Sequence, residues 1–194
     1  MNSKLNIVEP EIELMSGEAS LVNHRVDELT RNFASQLEKH GIMHFSYTLL
    51  HGDGSSQFYF NDKKWGKRMI DDECHKEDAL VQYCLSKNSS FVPWDLLAMN
   101  KQQKEIFDER QNVHKKYNGV AVSLIKTDTP LMFALSTDSK VFDLPHYLAK
   151  HKDVIRDSVD FIKGIHRDQR VKKLLSSAFL EEDGFVPEKS GILH

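Results

Sequence analysis

The sequence has few cysteines and no long apolar run. Its two cysteines, Cys74 and Cys84, are too few for a disulfide framework and do not form a metal-binding pair. We therefore expect a reducing, cytoplasmic setting. No run of about twenty apolar residues occurs, so no membrane-spanning helix is predicted. Residues 1–14 lack the basic-then-apolar layout of a signal peptide.

A strong excess of one charge is also missing. The formal net charge is −3, which argues against a general nucleic-acid binder, since such proteins are usually basic. No glycine-rich phosphate loop, HExxH or GxSxG motif is present. Structural zinc would need four closed ligands, and the ten histidines show no such spacing. We expect no metal, no cofactor and no enzymatic activity.

One adjacent pair, Cys74 and His75, could be interpreted as a thiol–imidazole dyad. Such a dyad needs close approach in space and a third group that orients the base. Both residues lie on a polar segment, and the sequence offers no clear third group. An enzyme built on Cys74 is therefore the least favoured hypothesis.

The length and composition predict one soluble domain with tails. The chain has 194 residues, of which 40% are hydrophobic and 28% charged, and these values are typical of a globular domain. Residues 1–18 are interpreted as a loose N-terminal arm. Residues 19–171 would form the domain, and residues 172–194 a C-terminal tail or linker.

The first third of the chain predicts a helix followed by a hairpin. Apolar residues recur at helical spacing from about residue 20 to residue 40, with Ser20 as N-cap and Gly41 as the stop. Residues 42–51 alternate between apolar and polar, which is typical of a strand. Turn residues at 52–56 then lead into a second strand at 57–60.

The remainder predicts short helices, a charged helix, a second hairpin and a long helix. The expected helices cover residues 62–72, 79–85, 99–117 and 143–171, and the expected strands cover residues 91–92, 120–126 and 131–137. The buried side of the charged helix would use Ile106, Phe107, Val113 and Tyr117, and Asn118 with Gly119 would stop it. This order predicts an α+β fold, with an antiparallel sheet flanked by helices on both faces. By analogy with PAS- and GAF-like α-β-α sandwiches, a cavity would lie between sheet and helices.

Residues 61–94 contain both tryptophans, together with Asp78 immediately before an apolar run. Large aromatic side chains with one polar group are typical of a small-molecule pocket. The simpler alternative is a core with two tryptophans in it and Asp78 as the N-cap of residues 79–85. A carboxylate there could also accept a ligand N–H, worth about 1.5–3 kcal/mol in a partly dry pocket. The two roles can coexist.

The spacing in this segment resembles the autoinducer-binding domain of LuxR-type quorum-sensing receptors. Trp65 is followed thirteen residues later by Asp78, and Trp94 comes sixteen residues after Asp78. Residues 118–122, NGVAV, are similar to the glycine and strand that follow the middle helix in that family. The order of predicted elements matches the family from about residue 20 to residue 168.

The resemblance implies an acyl-homoserine lactone site. Trp65 would donate its indole N–H to the lactone carbonyl, Asp78 would accept the ligand's amide N–H, and Trp94 would wall the lactone end. Phe107 corresponds to a pocket aromatic of the middle helix. The other residues expected at the cavity are Asn61, Met69, Val81, Ala121, Ala134 and Ser136.

Three positions depart from the family pattern. The family tyrosines four residues before and after the first tryptophan are Asn61 and Met69 here, and the proline after the aspartate is Ala79. Each missing hydrogen bond should cost about 1 kcal/mol of binding free energy. Met69 adds adaptable apolar surface instead. A cavity is therefore better supported than any one ligand.

The leading hypothesis is a sensor domain that binds an acyl-homoserine lactone or related amphiphile. It would signal through a partner, as a homodimer or as a heterodimer with a full-length LuxR-type receptor. We expect no direct contact with nucleic acid, since residues 167–194 show no helix-turn-helix pattern, and no membrane contact. The alternative is a protein-interaction module or orphan regulator without a small ligand, whose partner would meet residues 174–180 or the charged middle helix.

Overall fold

The computed structural model describes residues 18–22 and 24–182. In this part of the chain the strands are β1 Ala19–Leu21, β2 His44–Leu50, β3 Ser56–Phe60, β4 Ser89–Pro93, β5 Tyr117–Leu124 and β6 Leu131–Thr137. The helices are α1 His24–Leu37, α2 Lys63–Asp71, α3 Cys74–Glu77, α4 Ala79–Leu85, α5 Lys101–Asn112, α6 Leu144–Lys150 and α7 Lys152–Glu182. Short 3-10 turns cover Glu38–His40 and Trp94–Leu96.

The six strands form one sheet in the order β1-β3-β2-β6-β5-β4. Both predicted hairpins are present, as the antiparallel pairs β2–β3 and β5–β6, and the central pair β2–β6 is antiparallel as well. Helices cover the sheet on both sides, so the predicted α+β class and α-β-α sandwich are confirmed. Strand β4 lies at the edge of the sheet beside β5, where residues 91–92 were predicted to form an edge strand.

The two faces of the sheet differ in side-chain size. On one face, Tyr47 of β2 stacks on Tyr59 of β3 with ring centroids 5.4 Å apart, and Phe33 of α1 meets Phe45 edge-on at 5.6 Å. On the other face, small residues lie side by side across the three central strands. Their pairs are Ser46 with Ala134 and Ala134 with Ala121. Because these side chains are short, they leave space above the middle of the sheet.

The start of the chain differs from the prediction. Ser20 does not cap a helix but belongs to β1, which pairs in parallel with β3. Helix α1 begins only at His24. A strand of three residues is too short to give an alternating pattern, and it forms because β3 offers a free edge. The predicted stop is confirmed, since Gly41 has φ of +72° and ends the turn after α1.

The middle helix is shorter than predicted. Helix α5 runs from Lys101 to Asn112, and Asn100 caps it with a capping box that includes Gln103. Val113, which was predicted to be buried, is 66% exposed, and Tyr117 already belongs to β5. The buried positions are instead Gln103, Ile106 and Arg110. Polar side chains at two of these positions hid the true buried face from a pattern search.

The predicted stop at Asn118 and Gly119 is also wrong. Both residues lie inside β5, where the register against β6 shifts between Tyr117 and Val120. Asn118 has φ of +47°, a left-handed backbone conformation that asparagine tolerates well. Asparagine and glycine often end a helix, but in this chain they form an irregularity within a strand.

The C-terminal helix is divided where one long helix was predicted. Asp143 accepts a hydrogen bond from the backbone N–H of His146 and begins α6, and the chain leaves helical geometry at His151 before α7 starts. Helix α7 continues past residue 171 as far as Glu182, and residues 183–194 lie outside the described part. By internal contacts the chain divides into units of residues 1–155 and 156–194. All predicted site residues belong to the first unit, while the domain boundaries at residues 18 and 171 stay predictions.

Two further expectations concern residues that are described in part or not at all. The side chains of residues 174–180 and the N-terminal arm at residues 1–17 lie outside what the structure describes.

Within residues 18–22 and 24–182, no helix has the length and apolar character needed to cross a membrane.

Helix α2 lies so close to β3 that its glycine has a packing role. A Cβ added to Gly66 would lie 2.8 Å from Cδ2 of Phe60, closer than side-chain atoms approach. Alanine normally stabilises a helix relative to glycine by up to about 1 kcal/mol. We expect Gly66→Ala to reverse this sign and lower the free energy of unfolding by about 1–3 kcal/mol through overpacking.

Gly164 of α7 supplies the matched control, because a Cβ built there meets no described atom within 4 Å. Gly164→Ala should therefore stabilise by about 0.5–1 kcal/mol. Urea denaturation of both variants measures the two effects. Equal stabilisation by the two substitutions would contradict the close approach of α2 to β3.

Candidate ligand-binding site

A cavity of about 70 Å³ lies above the small-residue floor of the sheet. Eight of the nine predicted site residues line it: Asn61, Trp65, Met69, Asp78, Val81, Trp94, Ala134 and Ser136. Ala121 lines it too. The ninth, Phe107, lies behind Trp94 in an edge-on contact with ring centroids 6.2 Å apart. Residues that are distant in sequence, Trp65, Asp78 and Trp94 among them, are thus brought to one place.

Helix α2 positions Trp65 and Met69. The helix starts where Asp62 accepts a hydrogen bond from the backbone N–H of Trp65 at 3.0 Å. Trp65 and Met69 lie one turn apart on its buried face and pack with Phe58 and Phe60 of β3. This aromatic and thioether surface forms one apolar side of the cavity.

Trp94 is positioned by a glycine on the neighbouring strand. Its indole lies directly on Gly119 of β5, where any Cβ would overlap the ring. Trp94 is 3% exposed, and its indole N–H has no hydrogen-bond acceptor among the described residues. A buried donor without a partner is costly. Trp94 lines the cavity, so a bound acceptor that reached Nε1 would remove this cost.

Asp78 is both a helix cap and a member of an ion pair. Its Oδ1 accepts hydrogen bonds from the backbone N–H groups of Leu80 at 2.8 Å and Val81 at 3.4 Å, as predicted for an N-cap of α4. Its Oδ2 accepts a hydrogen bond from Nη2 of Arg110 on α5. Asp78 is 1% exposed, so this ion pair is buried.

Arg110 was not among the predicted site residues. Its guanidinium lies between the two tryptophans, 5.4 Å from the ring centroid of Trp65 and 5.0 Å from that of Trp94, and 5.8 Å from Phe107. Arg110 is 5% exposed. It therefore occupies the aromatic box in which the resemblance places the polar head of a ligand. The sequence signal was its position one turn after Ile106, on the buried stripe of α5.

The polar groups of Asn61 are already used by the backbone. Its side-chain oxygen accepts from the N–H of Phe45 at 3.1 Å, and its side-chain nitrogen donates to the carbonyl of Met43 at 2.8 Å. Asn61 thus ties the end of β3 to the start of β2. It lines the cavity, and each polar atom of its side chain has one backbone partner, which leaves one N–H and one oxygen lone pair unused among the described residues.

A second polar cluster lies at the cavity wall near the end of β3. Oδ2 of Asp62 accepts hydrogen bonds from Nδ1 of His114 at 2.7 Å and from Nζ of Lys116 at 3.0 Å. Lys116 also lies 3.1 Å from Nδ1 of His44. Three of these groups, those of Asp62, Lys116 and His44, line the cavity.

The environment of this second cluster shifts three pKa values. Burial alone would raise the pKa of Asp62, but the N–H of Trp65 and the Lys116 ammonium outweigh it and lower the pKa to about 2. Burial lowers the pKa of Lys116, against the opposing charge of Asp62. Burial and the neighbouring Lys116 charge lower the pKa of His44 to about 4. At neutral pH Asp62 is therefore ionised and His44 is neutral.

The Cys74 and His75 side chains do not form a dyad. Nδ1 of the buried His75 lies 3.0 Å from the backbone carbonyl of Met69, while Sγ of Cys74 lies 2.7 Å from Nη1 of Arg68. Burial raises the pKa of the Cys74 thiol despite the Arg68 charge. Within the described residues, no group of three His, Cys, Asp or Glu side chains could hold a metal ion.

Neither a family model nor a curated protein sequence matches this chain. Solved structures with a similar fold include Escherichia coli SdiA in space group P6522, with a TM-score of 0.53 and 14% identity over 73% of this chain and 62% of that one. They also include SdiA in complex with octanoyl-rac-glycerol, with a TM-score of 0.53 and 16% identity over 73% and 60% of the two chains. This chain thus matches about three fifths of the SdiA chain. The likeness supports the LuxR-like autoinducer-binding fold predicted from the sequence.

The buried ion pair predicts a large loss of stability when one partner becomes neutral. Asp78→Asn keeps a good helix cap, because asparagine caps helices about as well as aspartate. It leaves the Arg110 charge buried without a counter-ion, so we expect the free energy of unfolding to fall by about 3–5 kcal/mol. Guanidinium denaturation measures this change. Asp72→Asn, which removes one of the two acidic partners of Arg68 at the surface, should cost less than about 1 kcal/mol.

His44 predicts a pH-dependent stability. Because folding favours its neutral form, the unfolded chain takes up the proton first, and stability is lost as the pH falls from the unfolded pKa near 6.5 to the folded pKa of about 4. In that window we expect His44→Gln to flatten the slope of unfolding free energy against pH, by up to the amount that corresponds to one proton taken up on unfolding. Asp62 contributes to the pH dependence of stability in a lower window, from pH 3.8 to about pH 2. The exposed His146→Gln should leave the slope unchanged, and an unchanged slope in His44→Gln would contradict the assignment.

Proposed function

We propose that this chain is a small-molecule sensor domain that binds an acyl compound in the cavity above the sheet. The observation that carries the proposal is the convergence of Trp65, Asp78 and Trp94 on one cavity, at the spacing that resembles LuxR-type receptors. The fold supports the same conclusion, since it is similar to that of SdiA, one of whose structures is a complex with octanoyl-rac-glycerol.

The cavity wall supplies the two kinds of contact that an amphiphile needs. Trp65, Met69 and Met132 give apolar surface for an acyl chain, with burial worth about 0.8 kcal/mol for each methylene. The buried indole N–H of Trp94 has no acceptor among the described residues, so it would gain a hydrogen bond from a head-group carbonyl that reached it. Ligand pockets usually measure about 300–1,000 Å³, so a chain longer than a few carbons enters by rearrangement of the flexible methionine side chains.

The proposed role is regulatory rather than catalytic. A ligand that binds only the native state stabilises it in proportion to the logarithm of its concentration. The folded, liganded domain would then pass its signal to a partner, which is a second copy of the chain or a full-length LuxR-type receptor in the cytoplasm. This proposal uses no metal, no cofactor and no activated nucleophile.

One observation favours a second candidate, an interaction module without a small ligand. The Arg110 guanidinium already fills the space between the tryptophans and forms an ion pair with Asp78. The fold is therefore complete at its centre without any ligand, and the remaining 70 Å³ is small. In this alternative a protein partner would bind the charged surface of α5, and the cavity would stay closed.

A melting screen separates the two candidates. We expect acyl-homoserine lactones, monoacylglycerols or fatty acids with chains of four to twelve carbons to raise the melting temperature at one preferred length. A flat response across the whole panel would leave only the interaction module. Isothermal titration calorimetry with the best compound then gives its Kd.

Trp94→Phe tests whether binding takes place at the proposed cavity. Phenylalanine keeps aromatic contact with Gly119 and removes a donor that has no partner among the described residues, so apo stability should fall only by about 1–2 kcal/mol from lost packing. Affinity for the best compound should fall about five- to tenfold with the lost hydrogen bond. Phe91→Leu, at an exposed position of β4, should leave affinity unchanged. Undiminished affinity in Trp94→Phe would place the ligand elsewhere.

A further inference from the structure

The carboxylates at the cavity, those of Asp78 and Asp62, already accept hydrogen bonds from other groups of the protein. An aspartate has about four acceptor positions, and Asp78 uses three of them, for the N–H groups of Leu80 and Val81 and for the Arg110 guanidinium. Asp62 likewise accepts hydrogen bonds from the backbone N–H of Trp65 and from the side chains of His114 and Lys116. A ligand N–H that approached Asp78 would have to share an oxygen with a buried cation or displace that cation.

Donors, by contrast, are in surplus at the same place. The indole N–H of Trp94 has no acceptor among the described residues. Arg110 carries five N–H donors. Among the described residues its side chain makes one hydrogen bond, from Nη2 to Asp78. Both residues line the cavity. Bonds from a charged donor are about twice as strong as neutral ones, so Arg110 strongly favours an acceptor in the ligand.

The hydroxyl groups on the cavity floor do not change this balance. Ser46, Thr48 and Ser136 line the cavity, and a hydroxyl can either donate or accept. They can bond either kind of head group and so do not discriminate between them. The discrimination is left to the ion pairs Arg110–Asp78 and Lys116–Asp62 and to two ring nitrogens without a partner among the described residues, Nε1 of Trp94 and Nε2 of His44.

We propose that the cavity selects an acyl compound whose head group accepts hydrogen bonds and donates none, an ester or a carboxylate, held by Arg110 and the indole of Trp94. This inference rests on the proposed sensor function and names its ligand class. It is the reverse of the selectivity expected from a free Asp78, which would prefer an amide N–H.

One pair of isosteric compounds tests the proposal. The first is an N-acyl-homoserine lactone, and the second is its analogue in which the amide N–H is replaced by an ester oxygen, both with butanoyl and octanoyl chains. We expect the ester to bind the wild-type chain about tenfold more tightly than the amide, because the amide N–H finds hydroxyl oxygens but no carboxylate oxygen that is free of Arg110 or of a backbone N–H. The fatty acids of the same lengths should bind in the range of the ester.

Arg110→Met gives the test a second, independent arm. Methionine keeps the apolar volume between the tryptophans and leaves Oδ2 of Asp78 free, so the preference should reverse in favour of the amide. Arg68→Met, which removes an arginine whose recorded ion pairs lie outside the cavity, should keep the wild-type preference. Circular dichroism establishes whether Arg110→Met is folded, and if it is not, the wild-type comparison decides alone.

The outcomes separate this inference from the proposed function. Tighter binding of the amide by the wild-type chain overturns the inference while leaving a sensor. Equal affinities also overturn it, since neither donors nor acceptors then select the head group. Absence of binding by ester, amide and fatty acid overturns the inference and the sensor together.

Discussion

The ion pair between Asp78 and Arg110 is the contact on which the site depends. One oxygen of Asp78 begins α4 and the other holds a guanidinium from α5, so a single buried carboxylate fixes the positions of two helices. The same guanidinium separates Trp65 from Trp94. A buried ion pair need not add stability compared with an apolar replacement, but it does penalise any arrangement that leaves one charge unpaired. The pair therefore specifies one packing of these elements.

The cavity results from a mismatch of side-chain size between layers. Strands β2, β5 and β6 present Ser46, Ala121 and Ala134 toward helices that carry tryptophans and methionines. Large rings cannot fill the space over so flat a floor without overlapping one another. The opposite face has the reverse composition, with tyrosine and phenylalanine rings that contact one another across β2 and β3. One sheet thus supplies a solid core on one side and a lined space on the other.

The sequence predicted those parts of the fold that depend on local patterns. Both hairpins, the cap at Asp78 and the aromatic side of α2 follow from alternation, turn chemistry and helical spacing, and all are present. Strand β1 and the role of Arg110 were missed, because each depends on a distant partner, the edge of β3 and the Asp78 carboxylate. Trp65, Asp78 and Trp94, which the resemblance assigned to the site, all line the cavity, whereas Phe107 does not. The resemblance could not predict that an arginine of α5 would take up the space between the tryptophans.

The charges around the cavity are arranged as close pairs of opposite sign. Arg110 lies against Asp78 and Lys116 against Asp62, so the positive and negative groups offset each other. Paired charges of this kind produce only a short-ranged field, which falls off faster than that of a single ion. A charged molecule in solution would therefore feel little attraction toward this site before it arrives. If a ligand binds here, its association rate should be nearly insensitive to ionic strength.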